Sequence, residues 1–456
     1  MDQLKYLLDC HKKELTDLRE LNAHYEGTMD LSYIHPELLA ELDDRLQQVV
    51  INWPELVVDS LDERLDVEGF RLRDAAEADD DLWDIWQFND LDEVSQQGHV
   101  DALVMKRAFT ITGANDEVGG LPLVTVESPL QVYADFDSRT RAVTSAVKTW
   151  KEDQPEGPAI EYASLYLPNE TSWWLRKNGQ WVLNPDFEPD MHDLGVVPVV
   201  PIVNRPRLKC PGGRSELASI VPLSMAANKI ATDMMVSAEF HAMPRRYVLG
   251  ADEADFTDEH NRPVTGWSKV AGRVWAMLKG KNEGAEVGQF PEANLSNFHE
   301  TLNQLARIVA SLGALPPQFL GFSTDNPASA DAIRSSEARL VKRAERRQRA
   351  FGGAWERTMR IAHRIQTSRW DDSLHRLETL WRDASTPTVA QKADASTKLH
   401  AAGIVPTEQT REDLGYTSVQ RARMRKMDAA DARRAMGEDV PDDDVLPGEV
   451  PVESAA

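Results

Sequence analysis

Residues 312–355 constrain the fold of this chain more than any other segment. They begin with an apolar stretch that ends in a proline pair, continue through a polar loop, and finish in an arginine-rich run. Asn326 is suited to cap free backbone N–H groups, and Pro327 suits the first helical position, where its missing N–H costs nothing. Only two adjacent glycines interrupt the run before about residue 366, so a helix of roughly 55 Å is predicted. That length exceeds what an ordinary globular core needs.

Several short segments, each present once, follow one another in an informative order over most of the chain. They are Asn52-Trp53-Pro54, Val57-Val58-Asp59-Ser60-Leu61, Val197-Pro198-Val199-Val200-Pro201, Gly213-Arg214-Ser215-Glu216-Leu217, and then Leu320-Gly321 and Asn326-Pro327-Ala328-Ser329-Ala330 before the arginine-rich helix. In this order the segments resemble tailed-bacteriophage portal proteins. The resemblance is closest to the portal branch typical of phages of actinobacteria.

The resemblance implies an α+β, mainly helical fold. A portal subunit has a wing, a two-helix stem, a β-containing clip, a long wing helix and a helical crown. The implied ranges are 1–205 for the wing, 206–242 for the first stem helix, 243–291 for the clip, 292–313 for the second stem helix, 314–328 for the tunnel loop, 329–383 for the long wing helix and a strand, 384–436 for the crown, and 437–456 for an acidic tail. The tail's composition predicts disorder.

The same resemblance implies a function. Portal proteins form a ring, usually of twelve subunits, at the unique capsid vertex, where the ring is the conduit for DNA packaging and ejection. The implied partners are other copies of the chain, double-stranded DNA that passes without sequence specificity, the terminase, the scaffold and major capsid proteins, and head-completion or adaptor proteins. The implied location is the virion, after assembly in the host cytoplasm.

Composition limits the alternatives. The chain has 51 basic and 75 acidic residues, and its net charge of −24 argues against a generic nucleic-acid binder. This negative charge fits a surface along which DNA passes without binding, or an ordinary soluble protein. Cys10 and Cys210 form no disulfide framework or metal cluster, which favours a reducing compartment. The most apolar run, residues 194–203, is too short to cross a membrane.

The sequence of residues 222–242 predicts a helix that is apolar on nearly every side. Such a helix must be packed against other parts of the protein on every side. A monomer would cover it in its core, whereas a ring would pack neighbouring subunits against it. Under the portal resemblance, the candidates for this subunit packing are Ile230, Met234, Met235 and Phe240.

The loop before the long helix is the candidate DNA-facing element. It contains Phe322, Ser323, Thr324, Asp325 and Asn326. One carboxylate and small polar groups would touch a DNA backbone weakly and would not read bases.

The long helix carries a charge opposite to that of the whole chain. Residues 329–370 hold eleven Arg or Lys and four acids, a balance of +7. Two roles are open for its cations: a basic ring facing DNA, or salt bridges to acids of neighbouring subunits. The second is favoured because the chain has surplus acid. The residues concerned are Arg339, Lys342, Arg343, Arg346 and Arg349.

Periodicity predicts the remaining elements. Helices are expected over 1–25, 36–50, 294–312 and 386–435, a helix pair over 79–101, short strands over 102–203, and strands near 246–249, 273–277 and 374–383. Asn178-Gly179 predicts a type I′ hairpin within residues 172–183. Trp173, Trp174 and Trp181 are interpreted as packing of that hairpin rather than as a sugar-binding platform.

Catalytic motifs are missing from the sequence. It has no GxxxxGK[ST], HExxH, CxxC or GxSxG pattern. The Gly212-Gly213-Arg214-Ser215 segment is interpreted as a turn that starts a helix rather than an anion site, and the acidic runs at 41–44 and 79–81 as solvated charge. We therefore predict no catalytic residue, no metal site, no cofactor and no enzyme activity. The alternatives are a non-ring helical adaptor or scaffold of the virion, and a DNA-processing enzyme subunit.

Overall fold

A computed structural model describes residues 1–29, 49–73, 75, 78–115, 120–155, 158–242, 246–249, 286–289, 295–321, 330–385, 389–416 and 418–436. Of the residues it describes, 52% are helical and 20% are in strands, which confirms the expected mixture of helix and sheet. It divides into two compact units. Unit 1 comprises Met1–Leu21, Val58–Glu216 and Asn326–Ala456, and unit 2 comprises Asn22–Val57 and Leu217–Asp325.

The elements follow one another in chain order. The helices are α1 (Asp2–Tyr25), α2 (Trp53–Asp62), α3 (Asp80–Phe88), α4 (Leu91–Met105), α5 (Val221–Ala242), α6 (Ser296–Gly313), α7 (Ala330–Thr367), α8 (Val389–Ala401), α9 (Thr407–Asp413) and α10 (Ser418–Ala435). The strands are β1 (Val67–Leu72), β2 (Arg107–Gly113), β3 (Leu123–Glu127), β4 (Val132–Phe136), β5 (Val143–Glu152), β6 (Ile160–Tyr166), β7 (Thr171–Lys177), β8 (Gln180–Leu183), β9 (Val199–Val203), β10 (Arg246–Leu249), β11 (Glu286–Gln289) and β12 (Leu377–Trp381).

Strands β4 to β8 form a five-stranded antiparallel meander in sequence order. Its last hairpin pairs Lys177 with Gln180 across a two-residue turn. Both turn residues have positive φ, 52° at Asn178 and 79° at Gly179, as a type I′ turn requires. The hairpin predicted from this dipeptide is therefore confirmed.

Both faces of the meander are covered by apolar side chains. On one face Leu4 and Leu7 of α1 pack against a cluster that includes Trp174, with Trp181 at its margin. On the other face Phe109 of β2 and Val199 of β9 meet the meander's alanines and valines. The remaining tryptophan of the hairpin, Trp173, lies against Phe187 with ring centroids 5.8 Å apart. The three tryptophans therefore serve packing, as predicted.

A second sheet has the order β3-β2-β9, so β9 lies at its edge. Asn204 donates its backbone N–H to Lys106, and the register alternates from there along β9. The N–H groups that face β2 therefore belong to residues 200 and 202, and position 201 faces away from the partner strand. Pro201 occupies it, which fits an edge because proline has no N–H to leave unpaired.

Helix α7 runs uninterrupted for 38 residues, through both Gly352 and Gly353. Its length is about 57 Å, so the single long helix predicted from the sequence is confirmed. Its buried face carries Phe351 and Trp355, and the Trp355 indole N–H donates to Nε2 of His99 on α4 at 2.9 Å. This contact joins the long helix to the preceding helix pair inside unit 1.

The helix pair and the helical unit near the carboxyl end also form where the sequence predicts them. Asp79 caps α3 by accepting a hydrogen bond from the backbone N–H of Leu82 at 3.0 Å. Helices α8 to α10 make up the later unit, and Glu412 of α9 forms an ion pair of 3.4 Å with Arg71 of β1. Helix α9 is thereby linked to the β1–β12 pair, which occupies the predicted strand region near 377.

Unit 2 is built around α5, α6 and the start of α2. Its core contains Val57, Ile220, Val309, Ala310 and Leu315, all buried. Helix α6 ends because Ala314 adopts a left-handed conformation and returns its N–H to the carbonyl of Ala310.

Some sequence predictions lie outside the described residues. They are most of the helix at 36–50, the strand at 273–277 and the tail 437–456. The described part of 243–291 consists of β10 and β11, which pair antiparallel. Residues 22–57 fall in unit 2, whereas the sequence grouping joined them to the rest of 1–205.

Candidate functional site

The two long helices of unit 2 are the first candidate element. The amide Oδ1 of Asn228 on α5 accepts the N–H of Ile51 at 2.7 Å, and Ser224 donates to the Ile51 carbonyl at 3.1 Å. Thr232 donates to the Asn228 carbonyl at 2.8 Å. These buried polar groups fix the position of α5 within unit 2 because unpaired buried polar groups are costly.

On α5 the small and polar side chains are buried, and the larger apolar side chains are more exposed. Its fully buried positions are small or polar: Ser224, Ala227, Asn228, Ala231 and Thr232. The larger apolar side chains are less covered: Leu223, Met225, Ile230 and Met234 are half-buried, and Met235 is 45% exposed. The side chain of Phe240 lies outside the described part. A helix of this composition leaves apolar surface that its own unit does not cover.

Helix α6 shows the same property. Ile308 is 37% exposed and Leu312 is 47% exposed, one turn apart on one face. The opposite face, with Val309 and Ala310, is buried in the unit 2 core. Both helices of unit 2 therefore present large apolar side chains to solvent in the single chain.

The residue that precedes unit 2 is a buried carboxylate. The side chain of Glu216 has 0% exposure and contacts the guanidinium groups of Arg343 and Arg347 on α7. Arg347 also donates from Nε to Oε1 at 3.1 Å, and Arg205 approaches within 3.5 Å. Burial alone would raise the pKa of Glu216, but Arg347 and Arg343 outweigh it, so the pKa is lowered.

This ion-pair network ties Glu216, the last residue of unit 1 before the chain enters unit 2, to the long helix. Sequence reasoning placed Glu216 in a motif but gave it no role. No local pattern reveals its partners, because Arg343 and Arg347 lie 127 and 131 residues away in the chain.

The basic residues predicted on α7 occupy different environments. Arg343 turns inward to Glu216 within the same chain. Lys342 pairs with Glu345 of the next turn at 2.6 Å. Arg339, Arg346 and Arg349 lie on the exposed surface of the helix. Whether the exposed cations face DNA or a neighbouring subunit stays a prediction.

The predicted DNA-facing loop, with Phe322, Ser323, Thr324, Asp325 and Asn326, lies outside the described residues. The chain enters it from the 3-10 helix Pro317–Leu320, which ends at Gly321 with φ 78°. It leaves into α7, which begins at Ala330.

Residues 212–213 form a turn, as their sequence predicts. Gly213 has φ 88°, and a Cβ there would lie 2.6 Å from the carbonyl oxygens of Asn204 and Lys106. The N–H of Arg214 is bonded to the Asn204 carbonyl at 2.9 Å. The close approach explains the glycine, and this N–H is not free to hold an anion.

In the described part of the chain, no group of three or more His, Cys, Asp or Glu side chains is arranged to hold a metal ion. None of its helices combines the length and apolar character that crossing a membrane demands.

Comparison with known proteins identifies the class to which this architecture belongs. Residues 4–435 match the family model described as phage portal protein, SPP1 Gp6-like. The chain therefore belongs to the phage portal protein family, which confirms the resemblance seen in the sequence.

Two relatives are similar over nearly the whole chain. The portal protein of Mycobacterium phage D29 is 38% identical over 441 residues, which covers 94% of this chain and 89% of the relative. The portal protein of Mycobacterium phage L5 is 38% identical over 431 residues, covering 92% and 87%. Both relatives come from phages of an actinobacterial genus, the branch that the sequence motifs indicated.

Solved structures with a similar chain include chains of gene transfer agent particles. One, titled "Virion of native gene transfer agent (GTA) particle", has 14% identity and a TM-score of 0.44 and covers 83% of this chain and 98% of that one. Another, titled "Neck of native GTA particle computed with C12 symmetry", has 13% identity and a TM-score of 0.41, covering 85% and 95%.

Proposed function

We propose that this portal protein forms a closed ring of twelve copies at the unique capsid vertex. The ring would be the conduit through which double-stranded DNA is packaged and later ejected, without sequence specificity. The observation that supports it most is the exposure of large apolar side chains on both unit 2 helices, at Met235, Ile308 and Leu312. A closed ring buries such surfaces against neighbouring copies.

The regions of the subunit are assigned within this proposal. The wing takes 1–205 and the long helix and strand of 329–383, the stem takes 206–242 and 292–313, the clip 243–291, the tunnel loop 314–328, the crown 384–436, and the acidic tail 437–456. The chain divides into its two units after Glu216, near the proposed start of the stem, and after Asp325, near the proposed start of the long wing helix, which supports these two boundaries.

The residues that would act in this assembly follow from their positions. Ile230, Met234, Met235 and Phe240 would pack between stem helices of adjacent subunits. The loop Phe322, Ser323, Thr324, Asp325 and Asn326 would face DNA. The exposed cations Arg339, Lys342, Arg346 and Arg349 would pair with acids of adjacent wings, so that the ring is held by a network of exposed ion pairs that are individually weak.

The protein would make no covalent change and need no cofactor. Its partners would be the terminase, the scaffold and major capsid proteins, and head-completion or adaptor proteins. The ring would assemble in the host cytoplasm and remain in the virion.

Electron microscopy with light scattering tests the ring directly. Twelve copies of 51.1 kDa give about 613 kDa, and class averages should show an open centre. Met235→Asp should abolish that species, with helicity by circular dichroism unchanged, because a charge cannot be buried unpaired between subunits. Met191→Asp is the matched control, since Met191 is 63% exposed in a loop of unit 1.

Two results would contradict the proposal. Rings of normal mass from the Met235→Asp protein would show that this helix does not pack between subunits. Single subunits that persist in the presence of scaffold and capsid proteins would favour a non-ring adaptor.

A further inference from the structure

A groove of about 990 Å³ lies in unit 1, beside β9 and the second half of α7. Three of the side chains that line it are large, apolar and exposed. Leu208 is 85% exposed, Trp370 is 43% exposed and Val196 is 40% exposed. Apolar side chains gathered at one groove differ from the scattered apolar residues of an ordinary surface, and they mark a site of interaction.

The rim of this groove is basic. Arg357 and Arg360 reach it from α7, and Arg141 reaches it from the turn between β4 and β5. None of the three forms an ion pair with an acid of the described part of the chain. Partial burial and the neighbouring Arg360 lower the pKa of Arg357, against an opposing effect of Glu356. The acid on the rim, Asp137, already accepts hydrogen bonds from Arg139 and Thr140.

The groove adjoins a longer basic surface, here called the basic strip. At 100° per residue seven cations of α7 fall within an arc of about 80°, over about 37 Å of helix. They are Arg339, Lys342, Arg346, Arg349, Arg357, Arg360 and Arg364. The arc lies opposite the buried face with Leu340, Ala344 and Phe351. A surface with this charge and an apolar groove beside it fits an acidic peptide that carries apolar side chains.

The chain itself contains one such peptide. Residues 437–456 hold seven acids and no Lys or Arg, together with Val440, Val445, Leu446, Val450 and Val452. They follow α10, which belongs to unit 1, and the adjoining α9 is held to β1 by the Arg71–Glu412 pair. Twenty residues span up to about 70 Å when extended, nearly twice the length of the basic strip.

We propose that residues 437–456 dock in this groove on their own chain. The carboxylates of Asp442, Asp443 and Asp444 bind Arg141, Arg357 and Arg360, and Val445 and Leu446 cover the exposed apolar side chains at Leu208 and Trp370. The docked segment neutralises part of the basic strip. It thereby prevents the positively charged surface of α7 from binding phosphate groups nonspecifically.

Disulfide trapping in the full-length chain tests this docking, because a native cysteine lies in the chain between Leu208 and Pro211, which both line the groove. Cys210 is exposed and sits two residues from Leu208. In a Cys10→Ser background, Leu446→Cys should form a disulfide with Cys210 under mild aerobic oxidation. Mass spectrometry of the linked peptides identifies the bond, and the product should migrate as a single chain on a denaturing gel. Added Cys210→Ser should abolish the link.

Two charge-reversal pairs decide whether the groove itself holds the segment. Arg357→Glu with Arg360→Glu should reduce the linking rate at least tenfold. Arg346→Glu with Arg349→Glu changes the same net charge on the same helix outside the groove, and should reduce it less than threefold. Equal linking in all backgrounds would overturn the proposal, because it would reflect random encounters. Equal loss from both pairs, no link at all, or a link only between two chains would overturn it as well.

A second readout uses DNA and does not depend on the cysteines. Ending the chain after Met436 should strengthen binding of a random-sequence duplex at low salt, and the gain should vanish in the Arg357→Glu, Arg360→Glu background. Unchanged duplex affinity after truncation would contradict the shielding of the basic strip.

Discussion

The guanidinium of Arg347 donates from Nε to Oε1 of Glu216, 131 residues earlier in the chain, and both side chains are buried. The pair joins the middle of the long helix to the residue at which the chain leaves unit 1. Buried ion pairs contribute little net stability but are costly to break on one side only. Their main effect here is to hold the last residue of this part of unit 1 against the long helix.

Glu216→Gln should destabilise unit 1 strongly, because Arg343 and Arg347 would lose their buried counter-charge. We expect a loss of about 3–5 kcal/mol in the free energy of unfolding at neutral pH, measured by urea denaturation. The pKa of Glu216 is lowered in the folded state, so its contribution is present at neutral pH and is lost as pH falls through that lowered value.

Glu161→Gln is the matched control for this substitution. Glu161 also pairs with two cations, Lys151 and Arg176, but these are 68% and 46% exposed. Its loss should cost about 1 kcal/mol or less. Similar costs for the two glutamates would contradict the assigned role of the buried network.

Asp62 should make the protein less stable at alkaline pH. Burial, with Asp59, Asp66 and Glu63 nearby, raises the pKa of Asp62 to about 7. In the unfolded chain the Asp62 carboxyl loses its proton near the ordinary pKa of an aspartate, whereas in the folded chain it keeps the proton up to a pH of about 7. The free energy of unfolding therefore falls as pH rises towards 7. The largest loss in the free energy of unfolding from this one proton is about 4 kcal/mol.

Asp62→Asn should remove this pH dependence. The variant should match the parent near pH 4 and exceed it in stability at pH 8, as measured by thermal unfolding across the pH range. Glu63→Gln removes an exposed charge from the same cluster and should have a much smaller effect. A constant difference in stability between Asp62→Asn and the parent at all pH values would show that folding does not raise the pKa of Asp62.

The two glycines of α7 should respond differently to alanine. A Cβ on Gly353 meets no atom within 4 Å, so Gly353→Ala should stabilise by about 0.5–1 kcal/mol through helix propensity. A Cβ on Gly352 would lie 3.1 Å from Nε1 of Trp381, which offsets the same gain. Urea midpoints of the two variants test this. Destabilisation by Gly353→Ala would mean that the helix has to bend there.

Deleting residues 323–325 should separate assembly from DNA handling. The stem helices that we propose to hold the ring are unchanged, so rings of normal mass should form. Packaging or retention of the genome should fall, because the deletion shortens the loop proposed to contact DNA. A complementation assay that scores packaged genomes measures this. Normal packaging by the shortened chain would remove the loop from the proposed mechanism.

Short-range patterns predicted much of the fold. Asn178-Gly179 determined a hairpin turn, and the capped arginine-rich run determined α7 through two glycines. Pairings between distant segments were not predicted: β1 aligns with β12, with Phe70 opposite Thr379, and neither strand is marked by a strong alternation. The partners of Glu216 escaped prediction for the same reason, since tertiary packing decides which arginine of a basic run turns inward.

The candidate site was predicted unevenly. The sequence drew attention to α5 through its apolar composition. It did not reveal that Ser224, Asn228 and Thr232 would be buried while Met235 is exposed, because hydrogen bonds to Ile51 decide which face is covered. Equally, the basic residues of α7 were evident as a group, but the inward position of Arg343 depends on a carboxylate far away in the chain.

The proline at the centre of β9 has a consequence for the behaviour of this chain at high concentration. A bare sheet edge would recruit strands from other copies into open-ended aggregates. Pro201 removes a donor from the middle of that edge. At this edge of the sheet, β9 is therefore a poorer template for strands of other copies than an edge whose central residue carries an N–H.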